Sequence, residues 1–162
     1  MRPGIDEAPQ SLIPAEADEV YPALSPDGRW VAYSSNVSGE WEVYVRPFPD
    51  AASGIWQIST RGGIAPRWSA DGSELFFENG DRSMMAASVD GSGTAFAFEP
   101  PRVLFPIPEG IAGTGFALPF DVTPDGQRFL MAQNVRDPST GRVSELVLVR
   151  GFDQMLRERV GN

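Results

Sequence analysis

The side chains that could do chemistry in this 162-residue chain are mostly carboxylates and hydroxyls, because the sequence contains neither histidine nor cysteine. A Ser-His-Asp triad, an imidazole metal site and a thiolate zinc site are therefore impossible with its own residues. No Gly-x-Ser-x-Gly elbow and no Gly-x-x-x-x-Gly-Lys loop occurs either. We expect no catalytic activity, no bound metal and no cofactor.

Some acidic residues occur in pairs, an arrangement that a hard cation could bind. The most prominent pairs are Asp18 with Glu19 and Glu40 with Glu42. Neither pair reaches the ligand number of an EF-hand loop, so we interpret both pairs as solvated surface.

Three further aspartates occupy the same place in a repeated pattern. Its copies are Leu24-Ser-Pro-Asp-Gly28, Trp68-Ser-Ala-Asp-Gly72 and Val122-Thr-Pro-Asp-Gly126. Proline presets φ, aspartate bonds to nearby backbone and glycine accepts a positive φ, so each copy predicts a tight turn. Ala70 replaces proline in the second copy, which should loosen that turn slightly without abolishing it. We assign structural rather than catalytic roles to the turn residues Asp27, Gly28, Asp71, Gly72, Asp125 and Gly126.

The elements that position these turns are short β-strands. Alternating residues precede each turn and an apolar triplet follows it, as in Val31-Ala-Tyr33 and Leu75-Phe-Phe77. Further strands are predicted at 40–46, 55–59, 84–89, 102–105 and 145–150, with no fourth strand in the last copy. The turns recur after 44 and then 54 residues, and four short strands per repeat are typical of a propeller blade. We therefore predict an all-β fold, a partial β-propeller of three four-stranded antiparallel blades with the last one incomplete.

These residues resemble the TolB-like propeller repeat, a relative of WD-type repeats whose marker is a strand ending in Ser-Pro-Asp-Gly. The resemblance places blades at about 19–60, 64–105 and 119–150. A closer likeness is to the C-terminal propellers of bacterial eukaryotic-type serine/threonine kinases, carried by Glu42-Val-Tyr-Val-Arg-Pro-Phe-Pro49 and Arg67-Trp-Ser-Ala-Asp-Gly-Ser-Glu-Leu-Phe-Phe77. The chain departs from that pattern because it has no kinase domain, no membrane span and too few blades.

The two ends differ from the repeats. Residues 1–10 show no periodicity, and we expect a flexible segment there. Phe152, Met155, Leu156 and Val160 fall at helical spacing, which predicts a short helix over 151–162 that packs on a sheet edge.

A candidate ligand site follows from the resemblance, since the first strand of each propeller blade lines the central axis. It implies that Tyr21, Arg67, Phe120 and Asp121 face the channel or its rim. Arg67 and Asp121 occupy equivalent positions in neighbouring blades, four residues before the turn aspartate. They would form either a polar grip for a ligand or a salt bridge that seals the bore.

The composition and net charge of the chain limit the classes of partner that it could bind. A net charge of −9 and a pI near 4.4 argue against nucleic acid, because neutralising phosphates needs clustered Lys and Arg. No stretch approaches the roughly 18 apolar residues of a membrane span. The N-terminus lacks the apolar stretch of a signal peptide, so the chain would stay where it is made unless it belongs to a longer receptor.

These observations favour a non-catalytic binding or interaction module, a sensory part or fragment of a kinase-like receptor, with an unidentified protein or small-molecule ligand. The alternative is an accessory or gating propeller of a peptidase or other hydrolase whose catalytic domain lies elsewhere, because fold alone does not select a ligand. Three blades do not close an ordinary ring, which leaves three alternatives: a fragment of a longer chain, an open arc, or a homodimer that completes a six-bladed ring. Gly72→Val should destabilise more than Gly91→Val, since Gly91 lies in a longer connection.

Overall fold

The computed structural model describes residues 11–13, 17–93, 95–111, 120–137 and 141–150. Every regular element within these ranges is a β-strand, which confirms the all-β prediction, and no helix there could cross a membrane. The predicted flexible segment 1–10 and the predicted helix 151–162 lie outside the described residues.

The strands form three antiparallel sheets in chain order, which we call blades 1, 2 and 3. Blade 1 contains β1 (Glu19–Leu24), β2 (Trp30–Ser35), β3 (Glu42–Pro47) and β4 (Trp56–Gln57). Blade 2 contains β5 (Ile64–Trp68), β6 (Glu74–Glu78), β7 (Ser83–Asp90), β8 (Ala97–Phe98) and β9 (Arg102–Pro106). Blade 3 contains β10 (Phe120–Val122), β11 (Arg128–Asp137) and β12 (Gly141–Arg150).

Blade 2 differs from the predicted four strands. Two short strands share its outer position, because β8 pairs with β7 at Val89 and Asp90 while β9 pairs with β7 between Ser83 and Ala86. The sequence prediction found only the second of them. Blade 3 has no fourth strand in the part of the chain that the structure describes, as its pattern predicts.

The three turns share one hydrogen-bond network. In the first, the Ser25 hydroxyl donates to Asp27 Oδ1 (2.6 Å) and accepts from the Trp30 backbone N–H (3.0 Å). The Gly28 N–H donates to the Ser25 carbonyl (2.9 Å), and Gly28 has a φ of 70°. The same contacts recur at 69–74 and 123–128, with φ values of 74° at Gly72 and 68° at Gly126. The second turn closes without proline, since the Gly72 N–H still reaches the Ser69 carbonyl at 3.0 Å.

Alternation along the strands divides the core into two clusters. Leu75 and Phe77 of β6 pack toward blade 1, whereas Phe76 packs toward blade 3. The Phe76 ring meets the Phe129 ring edge-on, with centroids 5.3 Å apart. Blade 2 is therefore covered on both faces, and all three of these β6 side chains are at most 1% exposed.

The connection that follows β7 is hydrogen-bonded to blade 1. The Trp30 indole N–H donates to the Gly91 carbonyl (3.1 Å), and the Arg29 guanidinium donates to the Ser92 carbonyl (3.1 Å). A Cβ on Gly91 would overlap the indole of Trp30, 2.9 Å from Cδ1. This connection is therefore packed against the neighbouring blade, a contact that the sequence analysis did not anticipate.

Adding a side chain at Gly91 should destabilise the protein more than adding one at Gly93. Gly91→Ala forces the Trp30 indole to move, which should cost about 1–3 kcal/mol as in other overpacked sites. The nearest atom to a Cβ on Gly93 is 3.7 Å away, so Gly93→Ala should change the free energy of unfolding by under about 0.5 kcal/mol. Urea denaturation of both variants measures the difference, and equal effects would contradict the Trp30 contact.

Truncating the Phe77 side chain should cause a large loss in the free energy of unfolding. Phe77→Ala removes a ring that is 1% exposed between blades 1 and 2, so we expect a loss of about 3–5 kcal/mol in the free energy of unfolding. Phe98→Ala is the matched control because that ring is 37% exposed. Urea denaturation should give a loss under about 1 kcal/mol for the control. A similarly small loss for Phe77→Ala would refute the packing.

The turn aspartates should make the free energy of unfolding decrease at acidic pH. Hydrogen bonds from the Ser69 hydroxyl and from Ser73 lower the pKa of Asp71 to about 2, from 3.8, and similar hydrogen bonds lower the pKa of Asp27 and of Asp125. A pKa lowered by folding means that the carboxylate stabilises the fold above the unfolded value near 3.8, and that this stabilisation disappears as pH falls toward 2. Urea midpoints between pH 5 and pH 2 should fall less steeply for Asp71→Asn than for the wild type.

Candidate functional site

The blades have two distinct ends. One end carries the three turns described above. At the other end strands β1, β5 and β10 begin, and the β2–β3, β4–β5 and β6–β7 connections meet. We call this second end the mouth, because first strands of successive blades lie together there, with β1 packed against β5.

Two adjoining clefts open at the mouth, between and beside blades 1 and 2. The smaller has a volume of about 320 Å³ and is lined by Asp18, Glu19, Val20, Tyr21 and Trp41. The larger has a volume of about 490 Å³, and its lining includes Glu40, Trp41, Glu78, Asn79 and Arg82 together with four glycines. Trp41 is the residue that the linings of the two mouth clefts share.

Close backbone approach shapes the floor of the larger cleft. The Gly80 N–H donates to the Arg61 carbonyl (3.2 Å), joining the β6–β7 turn to the β4–β5 connection. Gly62 has a φ of 79°, and a Cβ there would lie 2.8 Å from the Gly80 nitrogen. Glycine is required at Gly62 because the two loops would otherwise collide.

Backbone strain is concentrated at the mouth. Tyr21, Ala65 and Arg82 have positive φ values of 55°, 56° and 55°, although none is glycine. Tyr21 and Ala65 lie in equivalent bulges of β1 and β5, and the Ala65 N–H is held by the buried Ser34 hydroxyl at 3.0 Å. Such conformations cost about 1–3 kcal/mol each and are often kept at binding sites.

The acidic residues of the mouth are partly structural. Glu42 is 5% exposed and accepts hydrogen bonds from the Ser59 hydroxyl and from the Gly62 N–H (3.1 Å), so its assignment to solvated surface was wrong. Glu19 accepts from the Ser35 hydroxyl through Oε1 (3.1 Å), while its Oε2 is buried with no hydrogen-bond partner. Burial raises the pKa of Glu19, and the Ser35 hydrogen bond and the Arg46 charge oppose that rise.

The four residues that the sequence assigned to the channel have different surroundings in the structure. Tyr21 lines the smaller mouth cleft and also packs against the cluster between blades 2 and 3. Phe120 is only 6% exposed within that cluster, 6.1 Å from Phe129 between ring centroids, so its side chain belongs to the core rather than to the channel rim.

Arg67 and Asp121 each use their polar atoms locally. The Arg67 guanidinium donates to the Pro66 carbonyl (2.9 Å), and the exposed Asp121 carboxylate accepts from the Val122 N–H (2.9 Å). No ion pair within 4.0 Å joins the two side chains in the part of the chain that the structure describes. The salt bridge that would seal the bore is therefore not formed.

Sequence reasoning missed Trp41 and Arg82. All four tryptophans were assigned to sheet packing, and Trp30 does lie in the core at 4% exposure. Trp41 precedes β3 and lies two residues after Gly39, so its place beside a turn was the available signal.

The opposite end also has a cleft, with a volume of about 490 Å³, lined by Asp27, Asp71 and Asp90 beside Trp30 and Trp68. Each of these carboxylates already accepts a hydrogen bond from a nearby serine hydroxyl. Among the described residues no group of three or more potential ligands could hold a metal ion. We interpret this cleft as a consequence of the turns, which leaves the mouth as the candidate site.

No protein-family model and no curated protein matches this sequence. The fold is similar to an oligogalacturonate lyase from Vibrio parahaemolyticus, with a TM-score of 0.59 and 14% identity over 86% of this chain and 40% of that protein. It is also similar to a protein assigned as TolB from Agrobacterium tumefaciens, with a TM-score of 0.52 and 16% identity over 83% of this chain and 46% of that protein. An acylaminoacyl peptidase from Pyrococcus horikoshii matches with a TM-score of 0.51 and 14% identity over 83% of this chain and 23% of the peptidase.

The chain spans less than half the length of each of these proteins. At such identities the likeness shows the fold and not the activity. Three successive antiparallel sheets that match propeller-type structures make this chain a partial β-propeller of three blades.

Proposed function

We propose that this chain is the non-catalytic, ligand-binding part of a β-propeller, and that the mouth clefts are its binding site. The observation that carries the proposal is the pair of adjoining clefts that share Trp41, bordered by the strained residues Tyr21 and Arg82. Concave sites with aromatic walls and a few polar groups are the usual form of small-ligand sites.

The lining indicates what kind of ligand fits. Trp41 and Tyr21 contribute aromatic side chains to the lining, and Asp18, Glu19 and Glu40 contribute carboxylates that can accept hydrogen bonds. Arg82 also borders the larger cleft. Saccharides and peptide segments present a flat apolar face edged with donors and therefore fit better than polyanions, which the net charge of −9 would repel.

Two parent proteins are consistent with such a module. The sequence phrases that resemble kinase-associated propellers support a sensory part of a kinase-like receptor, and this is the proposal we prefer. The likeness to part of an acylaminoacyl peptidase supports the second candidate, an accessory or gating propeller of a hydrolase. Sequence flanking this chain distinguishes them, since a kinase catalytic loop upstream supports the first and a Gly-x-Ser-x-Gly elbow downstream supports the second.

The absence of histidine and cysteine supports a non-catalytic role, because the usual nucleophile–base pairs cannot be assembled from this chain. Turnover in a hydrolase and kinase panel that disappears when a mouth residue is changed would overturn this part of the proposal.

Removing the Trp41 side chain should weaken ligand binding without unfolding the protein. A panel of oligosaccharides and short peptides is screened by thermal shift and titration, and each hit is repeated with Trp41→Ala. We expect at least about a tenfold weaker affinity, because an aromatic side chain that both clefts share is lost. Ile55→Ala is the control, since Ile55 is 48% exposed beside β4 at the end that carries the turns. Hits that keep their affinity in Trp41→Ala, or lose it in the control, would contradict binding at the mouth.

A further inference from the structure

One carboxylate at the mouth has an oxygen atom without a hydrogen-bond partner. Glu19 lines the smaller mouth cleft, and its Oε1 accepts a hydrogen bond from the Ser35 hydroxyl at 3.1 Å. Its Oε2 is buried, and within the described part of the chain no group donates a hydrogen bond to it. A buried acceptor that has lost water without gaining a donor is unfavourable. A donor supplied by a ligand would remove this penalty.

Arg46 affects the charge of Glu19 without pairing with it. The Arg46 guanidinium donates from Nε to the Tyr33 hydroxyl (2.7 Å) and from a terminal nitrogen to the Ala51 carbonyl (2.8 Å). Among the described residues no ion pair within 4.0 Å joins Arg46 to Glu19. Burial therefore raises the pKa of Glu19, although the Ser35 hydrogen bond and the Arg46 charge oppose the rise. The carboxylate lacks a close positive partner within the protein.

The linings of the two mouth clefts carry more negative than positive charge. In the smaller cleft, Asp18 and Glu19 stand with no lysine or arginine among the described lining residues. The larger cleft adds Glu40 and Glu78, and Arg82 is the basic residue of its lining. A cleft lined by an excess of one sign of charge attracts a ligand group of the opposite sign.

The cleft at the other end shows why acidity alone does not define a ligand site. Asp27 accepts hydrogen bonds from the Ser25 hydroxyl and from the Arg29 backbone N–H. Asp71 accepts from Ser69 in the same way, so both turn carboxylates are satisfied by their own loops. Glu19 differs from them, because local structure leaves one of its oxygens without a donor.

We propose that the smaller mouth cleft binds its ligand through an ammonium group, as in the lysine side chain of a peptide, and that Glu19 selects this group. An ammonium is a donor without acceptors, so it complements a carboxylate that lacks donors. The last torsion of a glutamate side chain is broad, so a small rotation can turn Oε2 toward the cleft while Oε1 keeps the Ser35 hydrogen bond.

The aromatic lining adds a second attraction for the same group. Trp41 and Tyr21 border the smaller cleft, and a cation near an aromatic ring is attracted by the electrons of the ring. Asp18 adds a further carboxylate. The inference rests on the proposed function, since it names the charge of the ligand that the mouth clefts bind.

Two matched peptides test the charge of the ligand. The first is Gly-Gly-Lys-Gly-Gly with both ends blocked, and the second carries an acetylated lysine, which keeps most of the shape and removes the charge. NMR titration of the isotope-labelled protein measures affinities as weak as millimolar. We expect the lysine peptide to bind at least about tenfold more tightly at low salt, and we expect added salt to reduce this preference.

Glu19→Gln tests which residue selects the ammonium group. The change keeps the shape of the side chain and removes its charge, so the preference for lysine over acetyl-lysine should fall below about twofold. Glu99→Gln is the control, because it removes the same charge from an exposed residue whose backbone N–H donates to the Ser88 carbonyl, on the half of β7 that leads to the turns. The control should keep the preference. Circular dichroism melting verifies that both variants are folded.

Equal affinities for the two peptides, a preference that survives in Glu19→Gln, or an equal loss in both variants would each overturn the inference. An equal loss would mean that the net charge of −9 attracts the peptide and not the cleft. The proposed function fails separately, when no ligand of the panel loses affinity in Trp41→Ala. A neutral ligand that does lose affinity there, without any preference for lysine, refutes this inference and leaves binding at the mouth intact.

Discussion

The hydrogen-bond network of the repeated turn is the constraint on which the rest of the structure depends. A serine or threonine hydroxyl joins the turn aspartate to the first backbone N–H of the returning strand, and the glycine closes the loop. This fixes the strand register in each hairpin. Because side chains alternate with a period of two, a slip of one residue would move Phe76 and Phe77 to each other's blade interface. The turn therefore determines which cluster each aromatic ring enters.

The two ends of the blades use their polar groups differently. At the end that carries the turns, the aspartates are engaged in local hydrogen bonds and glycine takes every positive φ of the repeat. At the mouth, Tyr21, Ala65 and Arg82 hold positive φ without being glycine, and one oxygen of Glu19 is buried without a partner. Groups that local structure has not satisfied remain available for a ligand or for a change in shape.

The sequence predicted those features of the fold that depend on interactions between residues close together in the chain. The turn chemistry and the alternation of Leu75, Phe76 and Phe77 predicted the hairpins and the buried middle blade, because turns and periodicity act over a few residues. The burial of Phe120 could not be predicted from local sequence, because it depends on how closely blade 3 packs against blade 2. The contact of Gly91 with Trp30 spans 61 residues and no local pattern signals it.

The larger mouth cleft lies across the junction of blades 1 and 2, and that junction is held by hydrogen bonds as well as by apolar packing. The Trp68 indole donates to the Ala23 carbonyl (2.9 Å) and the Ala65 N–H to the Ser34 hydroxyl (3.0 Å). A buried donor that loses its partner costs about 1–3 kcal/mol, so the blades cannot slide past each other without a penalty. A ligand that contacts both blades therefore meets a surface already in place, and little of its binding energy is spent on ordering the protein.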